Sequence, residues 1–325
     1  MKKIVSFLLV MAMMILMVSV ASAAEVVLRL ADTQPETYPA TAGCVKFAEL
    51  VAEKSEGRIE IQVLSGGQLG GDEKAIIEQV QFGAIDFARV NLAPMAGFSP
   101  MLNLLQMPYL FSGTEHLHAV IDSDLGKELL KGVESNNFTG MALYDAGIRN
   151  FYNSVRPITS MADMKGLKIR TTQSALMMDA VEALGATPTP MAYGEVYSSL
   201  QTGVIDGAEN TWTSYDQNSH CEVAKYITMD AHNMPPEILI GSKMVMDRLS
   251  AEDQQLIYDC AKESELWERG MCEETLGVSR QVCIDKGCEI SELTDRDAWI
   301  EAMKPIYEKY AADFLDALAQ IQSMQ

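Results

Sequence analysis

Three polar residues of the sequence share a position that suits the capture of an organic acid. Arg170 ends the predicted strand 165–170, Asn210 ends a later predicted strand, and Arg149 follows a strand and a glycine. In open α/β sheets, ligands bind beyond the carboxyl ends of the strands. The planar guanidinium group of arginine matches the two oxygens of a carboxylate. The sequence therefore predicts a carboxylate-binding site. A surface salt bridge is the alternative for each arginine, because the chain has 45 acidic residues.

The sequence lacks the common motifs of catalysis. It contains no G-x-S-x-G elbow, H-E-x-x-H pair or phosphate-binding loop, and the glycines of residues 66–71 lack the dinucleotide-binding spacing. Its four histidines show no metal-ligand spacing to the cysteines. We therefore expect a protein that is not an enzyme and that holds no cofactor and no metal ion.

The size and charge of the chain narrow its class. With 325 residues, 48% of them hydrophobic and 22% charged, the composition is that of a globular protein long enough for two domains. A formal net charge of −20 argues against nucleic acid and anionic lipid surfaces as partners. These values favour an acidic, two-domain α/β protein that holds an anionic ligand in a local cationic site.

The first 23 residues are typical of a cleavable export signal. Met1-Lys2-Lys3 is basic, residues 4–20 form an apolar run, and Ala21-Ser22-Ala23 is a small-x-small cleavage pattern. The run is slightly shorter than the ~20 residues that cross a bilayer core. Cleavage near Ala23 is therefore favoured over a retained membrane anchor, and we expect the mature protein outside the inner membrane.

Six cysteines remain in the predicted mature chain. They are Cys44, Cys221, Cys260, Cys272, Cys283 and Cys288. An exported protein can pair its cysteines, and the close pair is Cys283 and Cys288, with Gly287 available to turn the chain between them. Two alternatives stay open for this pair, a disulfide bond or two unpaired, buried thiols.

Two β-α-β patterns are expected to position the polar residues. The first comprises strand 26–31, helix 38–54, strand 58–63, helix 72–82 and strand 84–92. This order predicts an open, mostly parallel sheet with helices on both faces. A second set begins near Ala146 and returns near Met234-Pro235-Pro236, so we expect the chain to cross between two domains at these hinge segments, with proline limiting which residues bend.

One long helix is predicted from Ala251 to about Arg280, with Ser250 as its N-cap. A helix of ~30 residues is ~45 Å long, more than one small domain measures. We therefore expect this helix to lie across both domains.

Several short motifs follow one another along nearly the whole mature chain. They are Gly67-Gln68-Leu69-Gly70, Met107-Pro108-Tyr109-Leu110-Phe111, Gly166-Leu167-Lys168-Ile169-Arg170, Gly185-Ala186-Thr187-Pro188-Thr189-Pro190-Met191, Glu195-Val196-Tyr197 with Leu200-Gln201-Thr202-Gly203, and Asp206-Gly207-Ala208-Glu209-Asn210. Together they resemble the signature of the solute-binding proteins of TRAP transporters (tripartite ATP-independent periplasmic transporters).

The resemblance implies an α/β, two-lobe periplasmic binding protein fold with hinged lobes and a long helix spanning both. We expect lobe I at residues 24–146 and 236–276, and lobe II at residues 147–235 and 277–325. The resemblance also implies a periplasmic location. The partners it implies are the small and large integral membrane subunits of the transporter, to which the closed protein delivers its ligand.

The resemblance assigns roles to the polar residues. It implies that Arg170 makes the bidentate contact to the ligand carboxylate, that Arg149 is a second basic contact and that Asn210 is a partner to the same carboxylate. Tyr193 falls where the family places an aromatic ring against the ligand, although a place in the core is the alternative for this side chain.

Other residues indicate the body of the ligand. Glu36 and Asn91 match first-lobe positions that touch the far end of the ligand, although a solvated loop acid is the alternative for Glu36. With Trp212 they favour a polyhydroxylated molecule, because acid and amide oxygens accept hydroxyl donors and an aromatic face stacks on sugar C–H groups.

Four runs resemble the subgroup that binds hexuronic acids such as glucuronate and galacturonate. They are residues 32–39, 89–91, 209–212 and 232–237. Thr211-Trp212-Thr213 departs from the Asn-Trp-Pro expected of that subgroup. A C4-dicarboxylate or another organic acid remains an alternative ligand. An exported sugar-acid enzyme and a receptor for a signalling protein remain alternative functions.

Overall fold

Two separate β-sheets organise the chain. The computed structural model describes residues 24–325, so the predicted export signal at residues 1–23 lies outside the described residues. The strands are β1 (Val26–Ala31), β2 (Ile59–Leu64), β3 (Phe87–Asn91), β4 (Phe138–Tyr144), β5 (Arg149–Asn153), β6 (Lys168–Thr171), β7 (Thr187–Pro190), β8 (Gly207–Thr211), β9 (Tyr226–Met229), β10 (Glu237–Ser242) and β11 (Glu289–Glu292). The first sheet has the order β2-β1-β3-β10-β4, and the second has the order β11-β9-β5-β8-β6-β7. We call the parts of the molecule around these sheets lobe I and lobe II.

Helices cover both sheets. They are α1 (Pro39–Lys54), α2 (Glu73–Gln81), α3 (Leu92–Met95), α4 (Thr114–Asp122), α5 (Asp124–Lys131), α6 (Ala175–Ala183), α7 (Val196–Thr202), α8 (Trp212–Gln217), α9 (His220–Val223), α10 (Lys243–Met246), α11 (Ala251–Asp285), α12 (Arg296–Ala302), α13 (Lys304–Tyr310) and α14 (Leu315–Gln322). Short 3₁₀ helices occupy Pro100–Gln106, Gly132–Asn136, Met161–Met164, Tyr193–Glu195 and Ala312–Phe314. The first predicted β-α-β set is confirmed to within a few residues. The apolar residues at helical spacing in α1, such as Phe47 and Leu50, are buried, as an amphipathic helix requires.

Each sheet contains one strand that runs against its neighbours. In lobe I, β1 pairs in parallel with β2 and β3, whereas β10 is antiparallel to β3 and β4. In lobe II, β5 is antiparallel to β8 and β9. The chain enters β10 and β5 from the other lobe. A strand entered at the cleft edge begins where the parallel strands end, so it must run the opposite way. The predicted mostly parallel sheet is confirmed with this exception.

The chain crosses between the sheets at residues 145–148, after β4, and at residues 230–236, before β10. Both crossings lie where the sequence predicted them. They run side by side, because the backbone N–H of Arg149 donates to the carbonyl of Asn233 at 2.8 Å. The start of lobe II is therefore tied to the return segment, and the two crossings form one paired hinge.

The helix α11 links the lobes by a third route. It has 35 residues, ~52 Å of helix, and it packs on α1 and β4 of lobe I and on α8 of lobe II. Ser250 caps its start, accepting from the backbone N–H of Asp253 at 3.1 Å. The prediction of a helix across both lobes is confirmed. The helix ends at Asp285, five residues beyond the predicted Arg280, because Gly287 supplies the left-handed turn (φ 82°) that stops it.

The C-terminal helices touch both lobes. The Tyr307 hydroxyl donates to the carbonyl of Pro108 at 2.8 Å in lobe I, and Lys309 pairs with Asp179 at 2.6 Å in lobe II. The segment predicted for lobe II alone therefore also contacts lobe I. None of the helices within residues 24–325 is both long and apolar enough to cross a membrane.

All six cysteines are buried and unpaired by disulfides. For Cys283 and Cys288 the structure shows the second of the two predicted alternatives, the unpaired thiols. Gly287 does turn the chain between them, as predicted.

Candidate functional site in the cleft between the lobes

Arg170 is a buried cation with almost no partner. It lies in β6, is 3% exposed, and its Nη2 donates to the carbonyl of Met191 at 3.1 Å. Its Nε is buried without a hydrogen-bond partner, and none of the carboxylates within residues 24–325 forms an ion pair with it. Burial lowers the pKa of this guanidinium group. An unpaired buried charge is costly unless a group of opposite sign compensates it, so an anion that entered the cleft would offset this cost.

Arg149, in contrast, is already neutralised. Its Nε donates to Glu209 Oε2 at 2.5 Å, its Nη2 donates to Glu209 Oε1 at 2.9 Å, and its Nη1 donates to Asn210 Oδ1 at 3.0 Å. Burial opposes ionisation of Glu209, but Arg149 and His232 outweigh it and lower the pKa of Glu209 to about 2. Arg149 thus holds Asn210 in place and keeps few donors free.

The shared edge of the sheet brings these residues together. Asn210 lies near the carboxyl end of β8, and Arg170 lies near the carboxyl end of the neighbouring strand β6. Arg149, in contrast, is the first residue of β5. Because β5 is antiparallel to β8 and pairs Arg149 with Thr211, this start lies at the same edge. The predicted cationic cluster in lobe II is present, with the charges divided unequally.

His232 lies behind this cluster in the second crossing. Its Nδ1 is 2.6 Å from Asp230 Oδ2, its Nε2 is 3.4 Å from Glu209 Oε2, and its ring stacks on Phe151 at 4.4 Å. Burial disfavours the charged ring, but Asp230 and Glu209 outweigh it and raise the pKa of His232 to about 9. The hinge therefore contains a protonated histidine at neutral pH.

We expect the stability of the protein to fall above neutral pH because of His232. A folded-state pKa of about 9, above the unfolded value of about 6.5, gives stability that is fully present below about pH 6.5. That contribution, up to about 3 kcal/mol, is lost as the pH rises through 9. Chemical denaturation at several pH values should show this slope in the wild type and in His118→Gln, a half-buried control. It should be absent in His232→Gln. Equal slopes in the wild type and His232→Gln would contradict the assignment.

Tyr193 lies against the guanidinium group of Arg170 and at the boundary with lobe I. The centre of its ring is 5.6 Å from Arg170 Cζ, and its hydroxyl oxygen is 2.6 Å from Ser214 Oγ. Ser214 in turn accepts from Gln34 Nε2 of lobe I at 3.2 Å. Tyr193 is therefore a wall of the cleft beside Arg170, and its contact with a ligand stays a prediction.

Arg89 anchors the opposite, lobe I wall. It is 1% exposed and forms a two-pronged ion pair with Asp32. Its Nη1 is 3.1 Å from Glu237 Oε2 and 3.5 Å from Glu73 Oε1. Burial is the main reason that the pKa of Glu237 is raised to about 7, with Arg89 opposing and Glu73 and Asp32 adding to the rise. One cation thus faces three acidic side chains, so this wall is acidic.

The sequence reasoning did not identify Arg89 or Glu73 as site residues. A signal for Arg89 was present: it is an arginine within Phe87–Asn91, a strand in which every residue is buried, and a charge in such a strand requires an internal partner. Glu73 gave no comparable signal, because an acid in the first turn of a helix is ordinary there.

Asn91 and Glu36, the two predicted lobe I contacts, lie in different places. Asn91 is buried at the cleft end of β3, where its Oδ1 accepts from the backbone N–H of Ala93 at 2.9 Å and caps α3. Glu36 is exposed and lies on the outer side of lobe I, beside Val45 and Glu49 of α1. The structure therefore does not bring Glu36 to the cleft. It corresponds to the alternative of a solvated loop acid, and Glu73 supplies the lobe I carboxylate.

Trp212 is also placed away from the cavity. It is buried in the lobe II core, with its ring 6.0 Å from that of Tyr215 and under the guanidinium group of Arg280 of α11. The prediction that Trp212 faces the ligand is not met. Its side chain instead packs between α8 and the long helix α11.

A small cavity lies between the two walls. It has about 230 Å³ of empty space, part of it open to solvent, and its lining residues come from both lobes: Asp72, Glu73, Lys74, Pro94, Arg170, Thr172, Gln173, Met191, Ala192 and Tyr193. Thr172 Oγ1, like Arg170 Nε, is buried without a hydrogen-bond partner. Buried polar groups in proteins normally have hydrogen-bond partners, so these two unpartnered donors are available to a ligand.

The lobes touch on either side of this cavity. The backbone N–H of Gly194 donates to the carbonyl of Gly71 at 3.2 Å. Elsewhere Asn218 Nδ2 donates to Gln34 Oε1 at 2.7 Å, and Thr37 Oγ1 donates to Gln217 Oε1 at 3.1 Å. The structure is therefore the closed form of a hinged cleft.

Two α/β lobes, joined by paired crossings and closed over an unpaired arginine, define the class of two-lobe solute-binding proteins. The chain belongs to the bacterial extracellular solute-binding protein family 7 (DctP), whose model matches residues 30–313. It is a solute-binding protein of the TRAP type.

Solved structures and curated relatives agree with this family. A TRAP periplasmic solute-binding protein from a Bradyrhizobium species, in complex with D-galacturonate, has a TM-score of 0.89 and 39% identity, covering 91% of this chain and 99% of its own. One from Chromohalobacter salexigens, with bound D-glucuronate, has a TM-score of 0.87 and 36% identity, covering 92% and 100%. The C4-dicarboxylate-binding periplasmic protein of Rhodobacter capsulatus is 32% identical over 305 residues, 91% of this chain and 90% of the relative.

Proposed function

We propose that this protein captures a hexuronate, D-glucuronate or D-galacturonate, in the periplasm and delivers it to the membrane subunits of a TRAP transporter. The observation that carries the proposal is Arg170, a buried guanidinium group without an ion-pair partner that lines the cavity between the lobes. The hexuronate complexes of two similar structures support the ligand class.

The proposed carboxylate site uses the unequal division of charge in lobe II. Arg170 presents its fork to the two carboxylate oxygens, and Thr172 adds a hydroxyl donor from the same wall. Asn210, held by Arg149, completes the set. Tyr193 packs beside the guanidinium group and offers an aromatic face to the sugar ring.

The lobe I wall favours a hydroxylated far end over a second carboxylate. Glu73 lines the cavity opposite Arg170, and Asp32 and Glu237 lie behind it around Arg89. Carboxylate oxygens accept hydrogen bonds from sugar hydroxyls, whereas a second ligand carboxylate would face like charge. This supports a monocarboxylate over the C4-dicarboxylates named for the relative from Rhodobacter capsulatus.

We propose that the cycle is capture, closure and release, without chemical conversion of the ligand. A ligand that touches both walls favours the closed form, because an equilibrium shifts only by the difference in affinity between its two states. The paired crossings at residues 145–148 and 230–236 are the proposed hinge, between lobe I (24–146 and 236–276) and lobe II (147–235 and 277–325). Residues 1–23 are the proposed export signal, and the closed form is the one that meets the membrane subunits.

A binding panel tests this function. In thermal-shift and calorimetric measurements, glucuronate or galacturonate should stabilise the protein by about 2.7 kcal/mol at ~100 times its Kd. Glucose and galactose should fail, since they leave Arg170 unpaired, and succinate should bind more weakly than either hexuronate. Stronger stabilisation by succinate than by both hexuronates would contradict the ligand class. Recovery of the hexuronate unchanged after long incubation is expected, and conversion of it would contradict a pure binding role.

Closure should depend on the contact between Gly71 and Gly194. A Cβ added at Gly194 lies 3.3 Å from Gly71 Cα, so the larger side chain of Gly194→Val should hold the cleft open. We expect roughly tenfold or greater loss of hexuronate affinity, because apparent affinity falls with the population of the competent state. Small-angle scattering should show a smaller radius of gyration with ligand in the wild type and little change in Gly194→Val.

Gly113→Val is the matched control, because a Cβ there meets no atom within 4 Å and its backbone is extended. It should bind and close like the wild type. Equal affinity and equal contraction in Gly194→Val and the wild type would reject closure through this contact.

A further inference from the structure

Three cysteines that are distant in the sequence meet in lobe II, behind the cleft. Cys221 lies in α9, Cys283 in the last turns of α11 and Cys288 just before β11. All three are buried and unpaired by disulfides. The Sγ atoms of Cys221 and Cys283 and a carboxylate oxygen of Asp216 lie within 4.8 Å of one another. The Cys288 thiol lies beside this group, with its Sγ 3.5 Å from the carbonyl oxygen of Cys221.

The fold holds these four side chains from separate elements. The backbone N–H of Cys288 donates to the carbonyl of Cys283 at 3.0 Å, and that of Gly287 donates to Ile284 at 2.9 Å. These bonds form a Schellman motif, in which the residues at the positions of Cys283 and Cys288 come into contact. Tyr215 of α8 fixes the other side, with its hydroxyl 3.2 Å from Cys288 Sγ.

The donor set has the composition of a thiolate metal site. Three sulfurs and one carboxylate give the four ligands of a tetrahedral zinc-type site, and two sulfurs bound at about 2.3 Å stand roughly 3.8 Å apart. The Sγ atoms of Cys221 and Cys283 already lie within 4.8 Å of each other. Two lysines offset the negative charge: Lys286 Nζ is 3.2 Å from Asp216 Oδ1, and Lys225 Nζ donates to the Lys286 carbonyl at 3.0 Å.

We propose that Asp216, Cys221, Cys283 and Cys288 bind one thiophilic divalent cation of the zinc class. An odd number of clustered thiols fits this role, because a disulfide uses two and leaves the third unpaired. The spacing along the sequence predicted no metal site, and the juxtaposition arises only from the packing of α8 and α9 on the end of α11. A cation here would tie the long helix to α8, which carries Ser214 into the cleft.

Zinc and cobalt binding to the full mature protein test the proposal. Protein purified without reductant and stripped with a chelator should take up one Zn²⁺ per chain, in competition with a chromophoric chelator. Co²⁺ should give an intense near-ultraviolet thiolate charge-transfer band and the visible bands of tetrahedral cobalt. Cys283→Ser should lose both signals. Cys260→Ser, a buried cysteine of the same helix in lobe I, should keep them.

Asp216→Asn keeps the test decisive if Cys283→Ser fails to fold, because Asp216 is only partly buried at the rim of the cluster. It should weaken zinc binding roughly tenfold or more and alter the cobalt spectrum. Three results would overturn the proposal: zinc uptake unchanged in Cys283→Ser or Asp216→Asn, a cobalt spectrum without a thiolate band, or a disulfide joining any two of the three cysteines in the unreduced protein. None of these readouts depends on the hexuronate.

Discussion

Replacing Arg170 by Ala is expected to lower hexuronate affinity by roughly 30-fold to several thousand-fold. Truncating one partner of a buried charge pair costs about 2–5 kcal/mol, and each ~1.4 kcal/mol is a factor of ten in Kd. Arg170→Lys should also lose most of the affinity, because an ammonium group cannot reproduce the two parallel hydrogen bonds of a guanidinium group. Isothermal calorimetry with glucuronate and galacturonate measures both losses.

The stability of the ligand-free protein separates a binding role from a structural one. Arg170 is buried and nearly unpartnered, so Arg170→Met removes a desolvated charge without breaking an ion pair. Its thermal midpoint without ligand should equal or exceed that of the wild type. Arg248→Ala, at an exposed arginine, is the control and should bind normally. Near wild-type affinity in Arg170→Lys would refute the carboxylate assignment, and a sharp drop in the ligand-free midpoint of Arg170→Met would make Arg170 structural.

Replacing Arg89 by Met should have the opposite signature, a large loss of stability. Arg89 is the buried cation among Asp32, Glu73 and Glu237, and removal of one partner from such a group leaves uncompensated buried charge. We expect the free energy of unfolding to fall by about 3–5 kcal/mol. Hexuronate binding should fall as well, because the acidic wall would lose its geometry. Urea denaturation followed by circular dichroism measures the loss of stability.

An exposed ion pair provides the matched control for Arg89. Arg58 pairs with Asp253 at 2.8 Å with its side chain 43% exposed, and Arg58→Met should change the stability far less than Arg89→Met, because solvent screens an exposed ion pair. Glu237→Gln added to Arg89→Met should restore part of the lost stability, since it removes one of the repelling acids. A cost for Arg89→Met no larger than that for Arg58→Met would show that the cluster is not an internal ion-pair network.

Local patterns in the sequence were sufficient for several elements and for the shared sheet edge of two polar residues in lobe II. Periodicity, capping and turn residues act over a few neighbours in the chain. They were enough to predict the first β-α-β set, the crossings near residues 146 and 234, and the long helix with its Ser250 cap. Arg170 and Asn210 stand near the ends of adjacent parallel strands, where the topology alone brings side chains to one edge.

Which charges are free was decided by the tertiary structure. Arg149 and Arg170 look alike in sequence, yet Glu209 neutralises Arg149 and leaves Arg170 unpaired. Glu36 and Glu73 are both acids of lobe I. In the folded chain Glu73 lines the cleft, whereas Glu36 lies on the outer side of the lobe.

The cysteine cluster illustrates the same division. Gly287 marked the turn between Cys283 and Cys288 in advance, because the left-handed conformation after a helix favours glycine. Cys221 joins them from more than 60 residues earlier in the chain through the packing of α9 against α11. Local conformational preference depends on neighbouring residues, so the sequence determined the scaffold. Electrostatic pairing depends on distances across the folded chain, so the tertiary structure determined the site.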